Sequence, residues 1–247
     1  MTEKKNKPNV SFYIPVYNDQ KTIEIVVDKA LKLLKKVANL YEILIIDDYS
    51  SDNSRIIIKK LMQKNKNIRA IFNPKNLGYG AVMKIAIRDS KFDIVCTVDG
   101  DDEYDISDIE KMLKISQYYG LIICFRYKRM YSSTRIFISH IYNILLRFHF
   151  SIKYRDINTG IRLFKKSAIK DIKLTTNSPF TPAELVIKSY FSGLPVGELG
   201  IQTFPNSFRR SNIITIKNLW VTYLDMLKIK KEIFSSTYQL PPNRIRN

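Results

Sequence analysis

Two carboxylates two residues apart, Asp99 and Asp101, form the sharpest chemical signal in the sequence. They directly follow an apolar run over residues 92–98, and on an extended segment side chains two apart point to the same side. With Glu103 as a third oxygen ligand, the pair is predicted to hold one divalent cation. Hard oxygen ligands favour Mg²⁺ or Mn²⁺ bridging a diphosphate. A lone Asp-x-Asp is more often an acidic surface turn, so its position at a strand end decides the interpretation.

A second acidic pair, Asp47 and Asp48, follows another apolar run over residues 42–46. Adjacent acids at a strand end can accept hydrogen bonds from the hydroxyls of a ribose or from the polar edge of a base. The same segment, continuing through Ser50 to a helix that begins at Ser54, is also typical of a helix N-cap. Both interpretations stay open at this point.

The elements that must position these acids are short apolar strands that alternate with amphipathic helices. The patterns predict strands over 10–14, 42–46, 68–72 and 92–98, the first ending at Pro15, and helices over 22–40, 54–64 and 81–90. Apolar strands separated by helices indicate a mostly parallel sheet with helices on both faces. Ligands of such sheets bind beyond the carboxyl ends of the strands. The polar clusters at 15–19, 47–52 and 99–103 are therefore expected to converge on one edge.

Two helices of another kind are predicted in the second half. Residues 136–152 are apolar on nearly every side, which is typical of a core helix or of a helix lying in a membrane interface. Residues 214–234 are amphipathic and combine the single Trp, Trp220, with several lysines, which suits a membrane surface. No apolar run reaches the about 18 residues that a spanning helix needs. Since no apolar segment follows residues 1–7 either, no secretory signal is expected, and the protein is predicted to be cytoplasmic, peripheral on the cytosolic face of a membrane.

Positive charge is concentrated in this second half. The formal net charge is +18, and residues 121–247 carry 21 of the 41 basic residues but only 6 of the 23 acidic ones. Such a surface indicates a polyanionic partner, whether nucleic acid, anionic lipid or a phosphorylated substrate. A biased nucleotide composition also explains many lysines, but it does not explain the loss of acidic residues from this half.

Composition excludes several classes of protein. The chain has 8 Gly and 9 Pro beside 13 Phe and 15 Tyr, which excludes collagen-like and disordered proteins. The two cysteines, Cys96 and Cys124, lie within apolar runs, so the sequence predicts neither a disulfide framework nor a zinc site. They are expected to be small buried hydrophobic residues.

Four segments of the first half resemble the motifs of family 2 glycosyltransferases. Residues 11–19 are similar to the opening strand of that family, and 42–54, 76–81 and 98–101 to the three motifs that follow, in the same order and spacing. The second half resembles the dolichol-phosphate mannose synthases and bacterial polyprenyl-phosphate glycosyltransferases of this family. The segments that carry this second resemblance are 125–127, 135–139, 156–164, Glu184 and 208–212.

The resemblance implies a GT-A fold, an α/β architecture with a mostly parallel central sheet and helices on both faces, plus a basic helical C-terminal extension. The expected boundaries are a flexible N-terminus over 1–9, the GT-A domain over 10–212, an amphipathic helix over 213–235 and a disordered tail over 236–247.

The resemblance also implies an inverting, metal-dependent transfer of a sugar from a UDP- or GDP-linked donor to a polyprenyl phosphate. Acceptor or donor phosphates are expected on Arg126, Arg135 and one of Arg209 and Arg210. The residues expected to bind the donor nucleotide are Pro15, Tyr17, Asp19, Asp48, Asn76, Gly78 and Asp99.

Asp156, Glu184 and Asp101 are the expected catalytic carboxylates, since the family places the counterpart of Asp156 at its active site. A phosphate acceptor is already ionised at neutral pH and requires no strong base. A sugar hydroxyl would require one, and Asp156 and Glu184 are then the two possibilities.

The sequence departs from the family at three places. Tyr79 stands where Lys is frequent and Glu103 where Gln is frequent, and the Arg-x-x-Gly-x-Ser signature lacks its Gly, which leaves the choice between Arg209 and Arg210 open. The absence of a Gln-x-x-Arg-Trp element argues against a processive polysaccharide synthase.

Two rival functions remain. The nearer is an enzyme of the same fold that acts on a soluble or glycan hydroxyl. The other is a nucleic-acid-binding module, although no recognisable nucleic-acid motif accompanies the charge and nucleic acid is not expected as a partner. A sugar-1-phosphate nucleotidyltransferase is disfavoured, because residues 15–19 contain no glycine-rich loop.

Overall fold

The computed structural model describes residues 7–128, 133–204 and 215–235. Seven strands form its central sheet: β1 (Val10–Val16), β2 (Tyr41–Asp47), β3 (Ile68–Phe72), β4 (Ile94–Thr97), β5 (Leu121–Lys128), β6 (Arg162–Lys165) and β7 (Val196–Gln202). Their order is β3-β2-β1-β4-β6-β5-β7. All neighbouring pairs are parallel except β4–β6 and β5–β6. The prediction of a mostly parallel sheet is confirmed.

In the described part of the chain, eight α-helices surround the sheet: α1 (Ile23–Val37), α2 (Ser54–Lys64), α3 (Tyr79–Asp89), α4 (Asp108–Ile115), α5 (Ser133–Phe150), α6 (Lys166–Ile169), α7 (Thr181–Phe191) and α8 (Ile216–Phe234). Successive residues of β1 belong to two different hydrophobic clusters. Phe12 packs in the cluster that contains residues of α1 and α2, and Tyr13 packs in the cluster that contains residues of α3, α5, α7 and α8. Successive side chains of a strand point to opposite faces. Helices therefore cover both faces, as predicted.

The first strand continues past the residue at which it was expected to stop. Pro15 lies opposite Ile46 of β2 and is followed by Val16, so the prediction of an end at Pro15 is wrong. The last pair between β1 and β4 is Tyr13 with Thr97, so at Pro15 the strand has only β2 as a paired neighbour. Such an edge position tolerates the missing N–H of proline.

The apolar segments of the second half became packed helices. Leu146 and Phe150 of α5 and Met226 and Ile229 of α8 are fully buried or nearly so in the core. Among the described residues, no helix is long and apolar enough to cross a membrane. Both cysteines are free and buried, as expected. Residues 1–6 of the expected N-terminal segment and the expected tail, 236–247, lie outside the described residues.

Candidate functional site

A cavity of about 670 Å³ opens at the carboxyl ends of β1, β2 and β4. This volume lies within the range of roughly 300–1,000 Å³ that is usual for small-molecule sites. Its lining includes all seven residues that were predicted to bind a donor nucleotide: Pro15, Tyr17, Asp19, Asp48, Asn76, Gly78 and Asp99. The structure thus brings four separate segments of the sequence to one site.

Asp48 orders one wall of this cavity. Its carboxylate accepts hydrogen bonds from the backbone N–H groups of Leu77 and Gly78, at 2.9 and 2.8 Å, and from the Asn73 side-chain amide, at 2.8 Å. Gly78 has a φ of 83°, in the left-handed region that favours glycine, and directly precedes α3. Asp48 therefore fixes the loop that leads into α3 and also borders the cavity.

The ends of β1 and β2 are tied together by Asn18, which has a φ of 61°. Its side-chain oxygen accepts a hydrogen bond from the Ser51 N–H at 2.8 Å, and its own N–H donates to the Ser50 hydroxyl at 2.9 Å. Asp47 faces elsewhere, since it pairs with Arg55 at 2.6 Å. Of the two adjacent acids, only Asp48 belongs to the cavity wall.

Asp99 is held at the cavity wall by contacts from two sides. The Tyr79 hydroxyl donates to Asp99 Oδ1 at 3.1 Å. A Cβ placed on Gly160 would lie 2.0 Å from Asp99 Oδ2, so only glycine leaves room for the carboxylate. The backbone N–H of Gly160 in turn donates to the Tyr104 hydroxyl at 2.9 Å. Tyr79 and Gly160 thus define where the Asp99 carboxylate lies.

Tyr79 stays a neutral hydrogen-bond donor across the physiological pH range. Burial and the neighbouring Asp99 carboxylate raise its pKa well above the ordinary value, because both disfavour a second negative charge. Where the family often has a Lys, this chain therefore has an uncharged donor directed at Asp99.

The expected set of three carboxylates is not assembled around one point. Asp101 and Glu103 are 2% and 4% exposed, and Asp101 Oδ1 accepts the Glu103 N–H at 3.2 Å. No group of three His, Cys, Asp or Glu side chains that could hold a metal ion occurs within residues 7–128, 133–204 and 215–235.

The residues present still fit a divalent cation that is bound partly by the protein and partly by substrate phosphates. Proteins commonly hold Mg²⁺ by one or two carboxylates together with substrate phosphates rather than by a complete protein cage. Asp99 offers carboxylate oxygens at the cavity wall, with Asp101 two residues further along. This arrangement fits an ion shared with a diphosphate, and the ligand assignments stay predictions.

Asp156 is paired rather than directed at the cavity. Arg126 donates to both of its carboxylate oxygens, from Nε at 2.7 Å and from Nη2 at 3.0 Å. The side chains of Arg126 and Asp156 are 8% and 1% exposed. Neither residue lines the cavity described above. The structure brings a predicted phosphate ligand and a predicted base together as an ion pair.

The carboxylate of Glu184 is likewise bound by other groups of the protein. Its carboxylate accepts hydrogen bonds from the backbone and hydroxyl groups of both Thr175 and Thr176, and it pairs with Lys188 at 2.8 Å. Burial alone would raise the pKa of Glu184, but the bonds from Lys188 and Thr176 outweigh it and hold the pKa below the ordinary value. Glu184 anchors the segment before α7, whose next residues, Asn177 to Pro179, line the cavity.

The remaining predicted phosphate ligands are not described. The side chain of Arg135 lies outside the described part of α5, and Arg209 and Arg210 fall within residues 205–214. These three assignments stay predictions.

Sequence reasoning missed a second part of the cavity wall. This part includes Asn158, Thr159 and Arg162, the turn before α7, and Asn218 and Val221 of α8. The segment 156–164 had been singled out by resemblance, and it pointed to this wall without indicating which side chains face it. No local pattern places α8 beside the cavity, because that contact arises from tertiary packing.

Comparisons with known proteins agree with this geometry. A family model described as glycosyl transferase family 2 matches residues 11–173. Undecaprenyl-phosphate 4-deoxy-4-formamido-L-arabinose transferases from Pectobacterium atrosepticum and Edwardsiella ictaluri are 24% and 26% identical, over 70% and 69% of this chain and 54% and 53% of theirs. The chain spans about half the length of these curated relatives.

A solved structure with a similar fold is glucosyl-3-phosphoglycerate synthase from Mycobacterium tuberculosis, crystallised with Mn²⁺, uridine diphosphate and phosphoglyceric acid. The TM-score is 0.70 at 14% identity, covering 91% of this chain and 78% of that one. A second structure of that synthase, with Mg²⁺ and uridine diphosphate, has a TM-score of 0.66. At such low identity the similarity establishes the fold alone.

Proposed function

Because the chain belongs to glycosyl transferase family 2, we propose that it is an inverting enzyme that transfers a sugar from a nucleotide diphosphate donor to a polyprenyl phosphate. The observation that carries the proposal is the 670 Å³ cavity, in which all the predicted nucleotide-binding residues meet. The names of the curated relatives, which include undecaprenyl phosphate, support the acceptor. The neighbours crystallised with uridine diphosphate and Mn²⁺ or Mg²⁺ support the donor class and a divalent cation.

The nucleoside is proposed to lie against the loops that follow β1 and β2. Tyr17 is 49% exposed there and lines the cavity. The loop ordered by Asp48 adds the Asn76 side chain, whose amide already donates to the Asp48 carbonyl at 3.2 Å. Because these groups are held before any ligand arrives, binding costs little further ordering of the protein.

Asp99 and Asp101 are the proposed cation ligands. A divalent cation, when bound, neutralises negative charge on the diphosphate leaving group. The protein holds the Asp99 carboxylate in place, with Tyr79 on one side and Gly160 on the other.

The ion pairs of the two candidate bases, Asp156 and Glu184, favour a phosphate acceptor over a hydroxyl acceptor. An ionised phosphate attacks without a base, whereas a hydroxyl needs one within hydrogen-bond reach. Asp156 is bound by Arg126 and Glu184 by Lys188, and neither lines the cavity. The two possible bases of the hydroxyl-transfer alternative are therefore engaged elsewhere.

We further propose that the protein contacts an anionic membrane through α5 and α8. Four apolar side chains of α5, at spacings of three or four residues, form one exposed stripe: Phe137, Ile141, Ile144 and Phe148, between 42% and 77% exposed. A similar stripe on α8 contains Trp220, Leu224 and Leu227, of which Trp220 is 62% exposed. Exposed apolar faces of this kind are typical of surfaces that meet a membrane or another molecule.

The two stripes lie on helices that pack together beside the cavity. Lys230 Nζ of α8 lies 3.1 Å from His149 Nδ1 of α5. Asn218 and Val221, in the first turns of α8, border the cavity. A lipid embedded beneath α8 would therefore have its phosphate near the cavity, which supports a lipid-linked acceptor.

The test is a screen of UDP-, GDP- and other nucleotide sugars for donor turnover, each with and without polyprenyl phosphate. We expect one donor to be consumed faster when the polyprenyl phosphate is present. Donor consumption that responds only to a soluble sugar or glycan would instead establish the hydroxyl-transfer alternative. Binding of nucleic acid without turnover of any donor would overturn the proposal.

A further inference from the structure

Arg162, the first residue of β6, is a buried cation with unused hydrogen-bond donors. Its side chain is 1% exposed, and its Nη2 donates to the carbonyl groups of Ile157 and Thr159. Within the described residues, its Nε and Nη1 are buried and have no hydrogen-bond partner. Arg162 also lines the 670 Å³ cavity. A pair of unsatisfied donors on a buried charge is unusual, since such groups are nearly always satisfied.

The other buried basic groups nearby are compensated by carboxylates. Arg126 pairs with Asp156 at 2.7 Å, and Lys188 pairs with Glu184 at 2.8 Å. Among the ion pairs of residues 7–128, 133–204 and 215–235 none involves Arg162, which rests on backbone carbonyls alone. A buried cation without an ion pair is costly to a folded protein, so its position at a cavity wall favours an anionic partner from outside the chain.

Other buried polar groups lie near the guanidinium. Among the described residues, the hydroxyls of Tyr13, Thr97 and Tyr142 and the side-chain oxygen of Asn158 make no hydrogen bond of good geometry, although Tyr13 lies near Thr97 and Tyr142 lies near Asn158. Arg162 lies close enough to Tyr13 and Tyr142 for its charge to oppose the rise in their pKa that burial causes. Most of these groups can donate a hydrogen bond, so the region is suited to a ligand that accepts them.

We propose that Arg162 binds an anionic oxygen of a substrate phosphate in the cavity. The proposal rests on the proposed function and adds to it a phosphate-binding residue outside the set predicted from the sequence. The same chemistry is offered by the donor diphosphate and by the acceptor phosphate. Charge-assisted hydrogen bonds from a guanidinium in a site without water are among the strongest hydrogen bonds in proteins. Loss of this contact should therefore change the ligand affinity measurably.

The experiment compares ligand affinities of the wild type and of Arg162→Met, which keeps the length of the side chain and removes the charge. Calorimetry with UDP and GDP reports the donor, and geranyl phosphate reports the acceptor, with the nucleosides and geraniol as ligands that lack phosphate. Arg88→Met is the matched control, because Arg88 is an exposed arginine paired with Asp89 at the surface.

We expect Arg162→Met to weaken binding of one phosphate-bearing ligand by about tenfold or more, since a charge-assisted hydrogen bond is lost. The control variant and the ligands without phosphate should be unchanged. The ligand that loses affinity identifies the source of the phosphate, and Arg162→Lys should restore part of the loss. Equal affinities for every ligand in a folded Arg162→Met protein would contradict the inference.

The free energy of unfolding separates this role from a purely structural one. If Arg162 only held the carbonyls of Ile157 and Thr159, Arg162→Met would lose stability while its ligand affinities stayed at the wild-type values. Failure of the wild type to bind any of these ligands would contradict the proposed function itself. If neither variant folds, saturable stabilisation of the wild type by inorganic phosphate or pyrophosphate would support the site, and its absence would refute it.

Discussion

Replacing Gly160 by alanine should impair turnover by displacing one carboxylate. The added Cβ would lie 2.0 Å from Asp99 Oδ2, 2.5 Å from Asp99 Cγ and 2.9 Å from a ring carbon of Tyr104. Gly160 does not have the left-handed backbone conformation that only glycine adopts readily, so the variant suffers from this contact and not from backbone strain. The backbone of Gly160 donates to the Tyr104 hydroxyl, which opposes a shift of the loop.

The size of the effect follows from the required movement. Ordinary contacts of a Cβ begin at 3.4 Å, so Asp99 must move by more than 1 Å to accommodate the methyl group. A displacement of about 1 Å in a catalytic arrangement costs roughly a hundredfold in rate. We therefore expect kcat for donor turnover to fall about a hundredfold, with a much smaller change in affinity for the nucleoside part, whose proposed site is near Asp48.

The assay measures kcat, nucleoside monophosphate affinity and the free energy of unfolding for wild type, Gly160→Ala and a control. Gly197→Ala is the control, because its Cβ would meet only the Tyr119 ring, at 3.0 Å, on β7 away from the cavity. A folded Gly160→Ala protein whose kcat stays within threefold of the wild type would refute the positioning of Asp99 as the basis of activity.

Three other changes test the cation site, the nucleotide site and the membrane surface. Asp101→Asn, or excess chelator with the wild type, should remove most activity while the fold persists; full activity in either case would exclude the cation. Asp48→Ala removes three hydrogen bonds that hold residues 73–78 and should weaken nucleotide binding about tenfold or more, at a smaller cost in stability; unchanged affinity by calorimetry would refute the assignment. The fluorescence emission of Trp220, which is 62% exposed, should shift to the blue when anionic vesicles are added, and Trp220→Ala should reduce co-sedimentation of the protein with the vesicles. This binding should weaken with salt because charges are screened, and no vesicle binding at low salt would refute docking.

The sequence predicted the first four strands because they are continuous apolar runs, and it predicted the first three helices. The helix over 54–64 and the strand over 68–72 were predicted at their observed bounds. Helix α4 and strands β5, β6 and β7 were not predicted; β6 has only four residues and contains Arg162, and β7 is interrupted by Gly197 and Gly200. Their pairing depends on neighbours that are distant in sequence.

The same division applies to the candidate site. Residues that follow strand ends, such as Asp48 and Asp99, were predictable because parallel strands share one edge. The ion pairs of Asp156 and Glu184 were not predictable. They depend on Arg126 and Lys188, which only the tertiary structure brings close. The burial of Arg162 and the lack of partners for its Nε and Nη1 among the described residues are tertiary properties, which its sequence motif does not reveal.

The most direct measurement of the central claim is transfer of a labelled sugar from its nucleotide donor to a matched pair of lipids, a polyprenyl phosphate and the corresponding polyprenol. A polyprenyl phosphate is ionised at neutral pH and needs no base, whereas the alcohol does. The account predicts a labelled glycosyl phospholipid from the phosphate, dependent on a divalent cation, and no labelled product from the alcohol. Transfer to the alcohol at an equal rate, or to neither lipid with every donor, would contradict it.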